Sequence, residues 1–172
     1  MPKVIKISLN TKDLKKAIQE VEKYKQDLQR KINIFRQRLA EELVDEAKAG
    51  FSSAIVDDLT KGGSRTPEVE VYYKDRGNLT VVFADGKDAI WCEFGAGVYH
   101  NTPVGTSPHP MGVELGYTIG SYGKGYGKAD AWGYYENGEL KITRGTPASM
   151  PMYNAMKSVM AKAITIAREV WK

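Results

Sequence analysis

The sequence predicts an α+β fold: an antiparallel sheet, formed by a meander plus a hairpin, packed by a long N-terminal helix and a C-terminal helix. Three observations carry that expectation. An apolar seam at four- and three-residue steps runs from Leu14 toward Gly50 with no Pro or Gly inside it. Three short alternating segments, separated by turn residues, follow between Val69 and Phe94. A second seam closes the chain from Met152 to Trp171. With 172 residues and 42 % hydrophobic content, the chain can build one real core, so 1–172 is read as a single domain.

Composition narrows the function. A net charge of +4 without any run of five like charges is a weak electrostatic footprint for nucleic acid. The lone Cys92 has no partner for an internal disulfide, and its place in an apolar segment predicts a buried thiol. No apolar run reaches the roughly 20 residues of a membrane span, and M-P-K-V-I-K-I-S-L-N lacks a signal-peptide core. The expectation is a soluble protein made in a reducing compartment.

Taken in order, Val4 to Leu9 alternates as a short strand, and Asn10 or Thr11 supplies an N-cap. The seam then reads Leu14, Ile18, Val21, Leu28, Ile32, Phe35 and Leu39, broken only by Lys25, and drifts on through Leu43 and Ala47. A helix of about 38 residues is roughly 57 Å long, whereas a compact chain of this size is roughly 40 Å across. The helix must either break, near Gln26–Ile32, or project and seek a neighbour. Residues 51–64 read as a loop around Gly62-Gly63. Val69, Val71, Tyr73, then Leu79, Val81, Phe83, then Ile90, Cys92, Phe94 mark three strands of a meander, with Trp91 and Glu93 on the outer face of the third.

Beyond Gly95 the sequence predicts a long displayed loop. Gly95, Gly97 and Gly105 widen the backbone's choices, while Pro103, Pro108 and Pro110 restrict them. The loops span about 95–130, the later part being the Gly/Tyr-rich G-Y-T-I-G-S-Y-G-K-G-Y-G-K. Tyr134-Tyr135, Asn137-Gly138 and Leu140–Ile142 predict a hairpin with a type I′ turn. Residues 143–150 read as loop, with Ser149 as N-cap and Pro151 in the first turn of the last helix.

Searches for chemistry return little. The glycines near Lys124 match neither a phosphate loop nor a dinucleotide fingerprint. His100 and His109 have no cysteine or carboxylate at metal-ligand spacing, Ser107 lacks a nucleophile elbow, and Glu93 with Glu114 is an unsupported carboxylate pair. No enzyme, metal or cofactor is expected. Tyr122, Lys124, Tyr126 and Lys128 mix aromatic and basic residues as single-strand binders do, which makes single-strand nucleic-acid binding the alternative reading.

The order of segments adds a resemblance. W-C-E-F-G-A-G, then S-P-H-P, a Gly-rich stretch, W-G-Y-Y-E-N-G and finally T-R-G-T-P-A-S-M-P-M-Y-N-A lead into the closing helix. Over essentially the whole chain this resembles the neck, or head–tail joining, family of long-tailed bacteriophages and prophages, also called tail-completion or minor capsid proteins. The family usually has Phe where Met152 stands. The resemblance implies a non-enzymatic virion protein, assembled in the bacterial host cytoplasm. It would form a homo-oligomeric ring contacting portal or head-completion proteins and tail-terminator or tail-tube proteins, with no membrane and at most incidental nucleic acid. Glu93, Phe94, Gly95, Tyr99, His109, Tyr122, Tyr126 and Trp132 are the expected partner contacts.

Overall fold

A computed structural model describes residues 11–58, 60, 62–95, 107–116 and 132–172. The expected strand at Val4–Leu9 and the glycine-rich core of the long loops lie outside them. The α+β expectation holds, with a long first helix, a closing helix and small antiparallel hairpins.

Helix α1 runs unbroken from Thr11 to Ser53, 43 residues and about 65 Å. Of the two outcomes open to so long a helix, the break near Gln26–Ile32 does not occur, because nothing there lacks an N–H or favours a turn. Helix α3 (Pro151–Val170) is 20 residues long and lies antiparallel on the carboxyl-terminal part of α1. Trp171 meets Phe35 edge to face at 5.4 Å, Arg38 pairs with Glu169 at 2.7 Å, and Lys162 bridges Glu42 and Glu46. Pro151 packs on Gly50 so closely that a Cβ there would sit 2.8 Å from the Pro151 Cβ.

The core forms where these helices meet the strands. Val44, Ala47 and Phe51 of α1 pack with Val56, Val71, Ala89, Cys92 and Ala155. Strands β1 (Val56–Asp58) and β2 (Gly63–Arg65) make a small hairpin inside the stretch expected to be loop, and α1 extends into that stretch as well. Gly62 and Gly63 both take positive φ at its turn, which is the freedom their pairing advertised. Strands β3 (Glu70–Arg76) and β4 (Leu79–Asp85) pair over seven residues, turning at Gly77 with φ 64°. Their inner face presents Val71, Tyr73, Val82 and Ala84 to the core.

The meander's third strand is not a strand. Ala89–Phe94 is a short helix, α2. Ile90, Cys92 and Phe94 do alternate, but the buried residues are Ala89, Cys92 and Glu93, an i, i+3, i+4 set. In six residues both periods fit, and packing against Phe51 and α3 chooses the helical one.

Strands β5 (Trp132–Glu136) and β6 (Glu139–Thr143) form the expected hairpin, with Asn137 at φ 53° and Gly138 at φ 81° as a type I′ turn requires. Its faces are inverted relative to hydropathy. Lys141 and Thr143 are buried, whereas Tyr135, Leu140 and Ile142 are exposed together on the other face. Polar bonds dock the buried face: the Thr143 hydroxyl donates to the Asp57 carbonyl at 2.8 Å, and the Arg144 N–H to the Asp57 carboxylate at 2.7 Å.

Candidate functional site

Three stretches far apart in sequence meet at one buried polar junction. Helix α3 begins at Met150, which sits in the left-handed region with φ 52° and caps nothing with its side chain. The expected N-cap, Ser149, instead turns its hydroxyl and its N–H to the Cys92 carbonyl, at 3.2 and 2.9 Å. The free amides at the start of α3 are taken up by Glu93. Its Oε2 accepts from the Met152 N–H at 2.8 Å and its Oε1 from the Tyr153 N–H at 2.9 Å. A carboxylate placed there also faces the positive end of the helix dipole.

The third stretch brings His109. Its Nδ1 accepts from the Met111 N–H at 3.1 Å, which leaves the ring proton on Nε2. Nε2 lies 3.1 Å from Glu93 Oε1 and donates to it. The ring is held between Phe94, 4.4 Å between centroids, and Tyr153, 5.2 Å away edge-on. Ser107 fixes the turn: its hydroxyl donates to the Phe94 carbonyl at 2.5 Å and accepts the His109 N–H at 3.2 Å. Gly95 ends α2 at φ 80°, its N–H returning to the Trp91 carbonyl.

Two expectations are corrected by this geometry. Glu93 is 8 % exposed and inside the fold rather than on an outer strand face; His109 is 5 % exposed and not a surface contact. A buried carboxylate and a buried imidazole each need partners, and here they satisfy one another and α3. Glu93, Phe94, Gly95 and His109 are thus brought together, as one structural latch. Trp132 starts β5 opposite Thr143. Tyr99, Tyr122 and Tyr126 lie outside the described residues. With both ring nitrogens and both carboxylate oxygens engaged, the junction holds three segments together and offers no free acid or base. Glu114 is exposed in the turn after His109, not in a shared pocket with Glu93.

A second polar pair escaped the sequence reading. Arg65 makes a two-pronged ion pair with Asp88, at 2.7 and 2.8 Å, and the Glu68 N–H donates to the same carboxylate at 2.8 Å. Burial is the strongest influence on Asp88 and opposes its ionisation. The hydrogen bonds from Arg65 and Glu68, with the charges of Arg65 and Lys87, outweigh it and hold the carboxyl below the usual range. The pair borders a cleft of about 300 Å³ walled by Val56, Trp91 and Tyr134. Lys87 at its rim is shared by Glu68 and Glu136, each at 3.2 Å. Only side-chain spacing across the fold, 23 residues apart, reveals the Arg65–Asp88 pair; no local motif marks it.

Among the described residues no group of three His, Cys, Asp or Glu side chains is arranged to hold a metal ion, and no helix is long and apolar enough to cross a membrane. No protein-family model, curated protein or solved structure matches the chain.

Proposed function

We propose that this chain is a structural subunit of a long-tailed phage neck, joining capsid to tail by self-assembly and loop-mediated contacts. The observation that carries the reading is the junction at Glu93. The three stretches most specific to the resemblance, W-C-E-F-G, S-P-H-P and G-T-P-A-S-M-P, converge there through Glu93, Ser107, His109 and Ser149. Motifs that make one structural unit are better grounds for kinship than motifs scattered over a surface.

The exposed faces suit an assembling subunit. Tyr135, Leu140 and Ile142 leave the outer face of β5–β6 apolar, and Met156, Met160 and Ile164 do the same on α3. Two different apolar faces on one chain favour head-to-tail contacts, and these close into rings when the rotation permits. The rival reading, single-strand nucleic-acid binding, is drawn from Tyr122, Lys124, Tyr126 and Lys128. On the outer face of β3–β4, Tyr72 and Phe83 also stack on each other with Lys74 and Arg76 over their rings, a pairing of aromatic and basic groups that suits it as well.

The test is a chain lacking residues 120–127, scored for head–tail joining in an assembly extract. The proposal expects joining to be lost with an unchanged melting curve. Normal joining, or a collapsed fold, would remove the contact role given to that loop.

A further inference from the structure

Helix α3 covers only the carboxyl-terminal part of α1, ending where Trp171 meets Phe35. The apolar seam does not end there. It continues toward the amino terminus as Leu28, Val21, Ile18 and Leu14, which are 37, 54, 55 and 52 % exposed. Phe35 and Leu39, on the part of α1 along which α3 lies, and these four belong to one stripe in four-three steps, whose four large side chains between 14 and 28 face solvent while the small Ala17 on its flank is buried.

We infer that this amino-terminal half of α1 is an interface with a second copy of the chain, packed antiparallel about a twofold axis near Lys23. The inference does not rest on the neck reading, whose contacts use other faces. Length supports it. The stretch 11–34 is 24 residues, about 36 Å, and a twofold antiparallel pair centred near Lys23 lays 12–34 of one copy along 34–12 of the other. The second copy's helix then starts beside Phe35, the residue at which Trp171 after α3 meets α1.

Charge chooses the direction. The seam's one polar residue is Lys25, exposed in the single chain. A parallel pair would stack Lys25 on Lys25, with Lys31 beside Arg36 only where α3 already lies. The antiparallel register seats Lys25 against Val21 of the second copy and next to its Glu22, twice by symmetry, which offsets the approach of the two Glu22 side chains across the axis. It also matches Ile18 with Leu28 and Leu14 with Ile32. An interface of this size belongs to the weak class, with dissociation in about the micromolar range.

The test uses full-length Val21→Cys and Lys25→Cys chains, purified separately and exposed to oxidised glutathione alone and mixed. Cys92 is buried with its thiol pushed up to about 12 and stays out of the exchange. The antiparallel pair brings position 21 of one chain within disulfide reach of position 25 of the other, while identical positions are offset by about 6 Å along the axis. The mixture should therefore give crosslinked dimer at least about tenfold faster than either variant alone. Rapid crosslinking of one variant by itself would mean a parallel pair and overturn the inference. So would a mass of one chain across a concentration series of the unmodified protein. Val21→Glu should weaken dimerisation about a hundredfold, two buried valines being lost, without changing helix content. A dimer unaffected by it would lie elsewhere and also overturn the inference. Rings formed by Val21→Glu chains would leave the neck reading intact, whichever way the dimer result falls.

Discussion

At the scale of single residues, the chain depends on two buried carboxylates that tie distant segments together. Glu93 is buried and accepts from three donors, so Glu93→Gln, which leaves one carbonyl oxygen and adds a misplaced NH₂, should cost about 2–3 kcal/mol in urea unfolding. An unchanged midpoint would mean that the latch is not a stabilising unit. Asp88→Asn should cost about 2–4 kcal/mol at pH 7 by leaving Arg65 half-buried and unpaired. The pH dependence follows from the lowered carboxyl. Its stabilisation is complete above the unfolded value, about 3.9, and is lost as pH falls through the still lower folded value. The stability gap between the native chain and Asp88→Asn should therefore be full at pH 7 and shrink below about pH 4. A gap of constant size from pH 7 to pH 3 would contradict the assignment.

At the scale of elements, the helices were legible because their length over-determines their period. Forty residues without Pro or Gly, stepping four and three, leave no other reading of α1, and α3 was equally plain. The Asn137-Gly138 turn was legible because only a few residues accept two successive positive φ angles. Helix α2 was not, since its six residues satisfy both periods and its partners come from Phe51 and α3. The burial of Glu93 was hidden for the same reason: its ligands are main-chain amides 59 and 60 residues away. Ser149 looked like a cap, and a carboxylate from another element took its place. One contact between elements is directly testable. Gly50→Ala should raise helix propensity by about 1 kcal/mol, yet the new Cβ would press on Pro151, including its backbone. The crowding, about 1–3 kcal/mol, should win and lower the melting temperature by several degrees. A stabilised variant would show that α1 and α3 can part at that crossing.

At the scale of the whole molecule, the fold is a compact core of hairpins and helix ends from which about half of a 43-residue helix extends. Among the described residues, apolar faces are open on α1, on α3 and on the β5–β6 hairpin, while Glu93 with His109 and Arg65 with Asp88 are engaged with one another. That distribution suits a subunit that works by contact. The central claim is assembly, and absolute mass by light scattering, with particle imaging alongside, tests it most directly. The protein is measured alone and with portal and tail partners, in both native and Val21→Glu forms. The account predicts closed rings of defined stoichiometry, formed alone or when those partners are added. Chains that form no ring with any partner, yet retain single-stranded DNA at moderate salt, would contradict it.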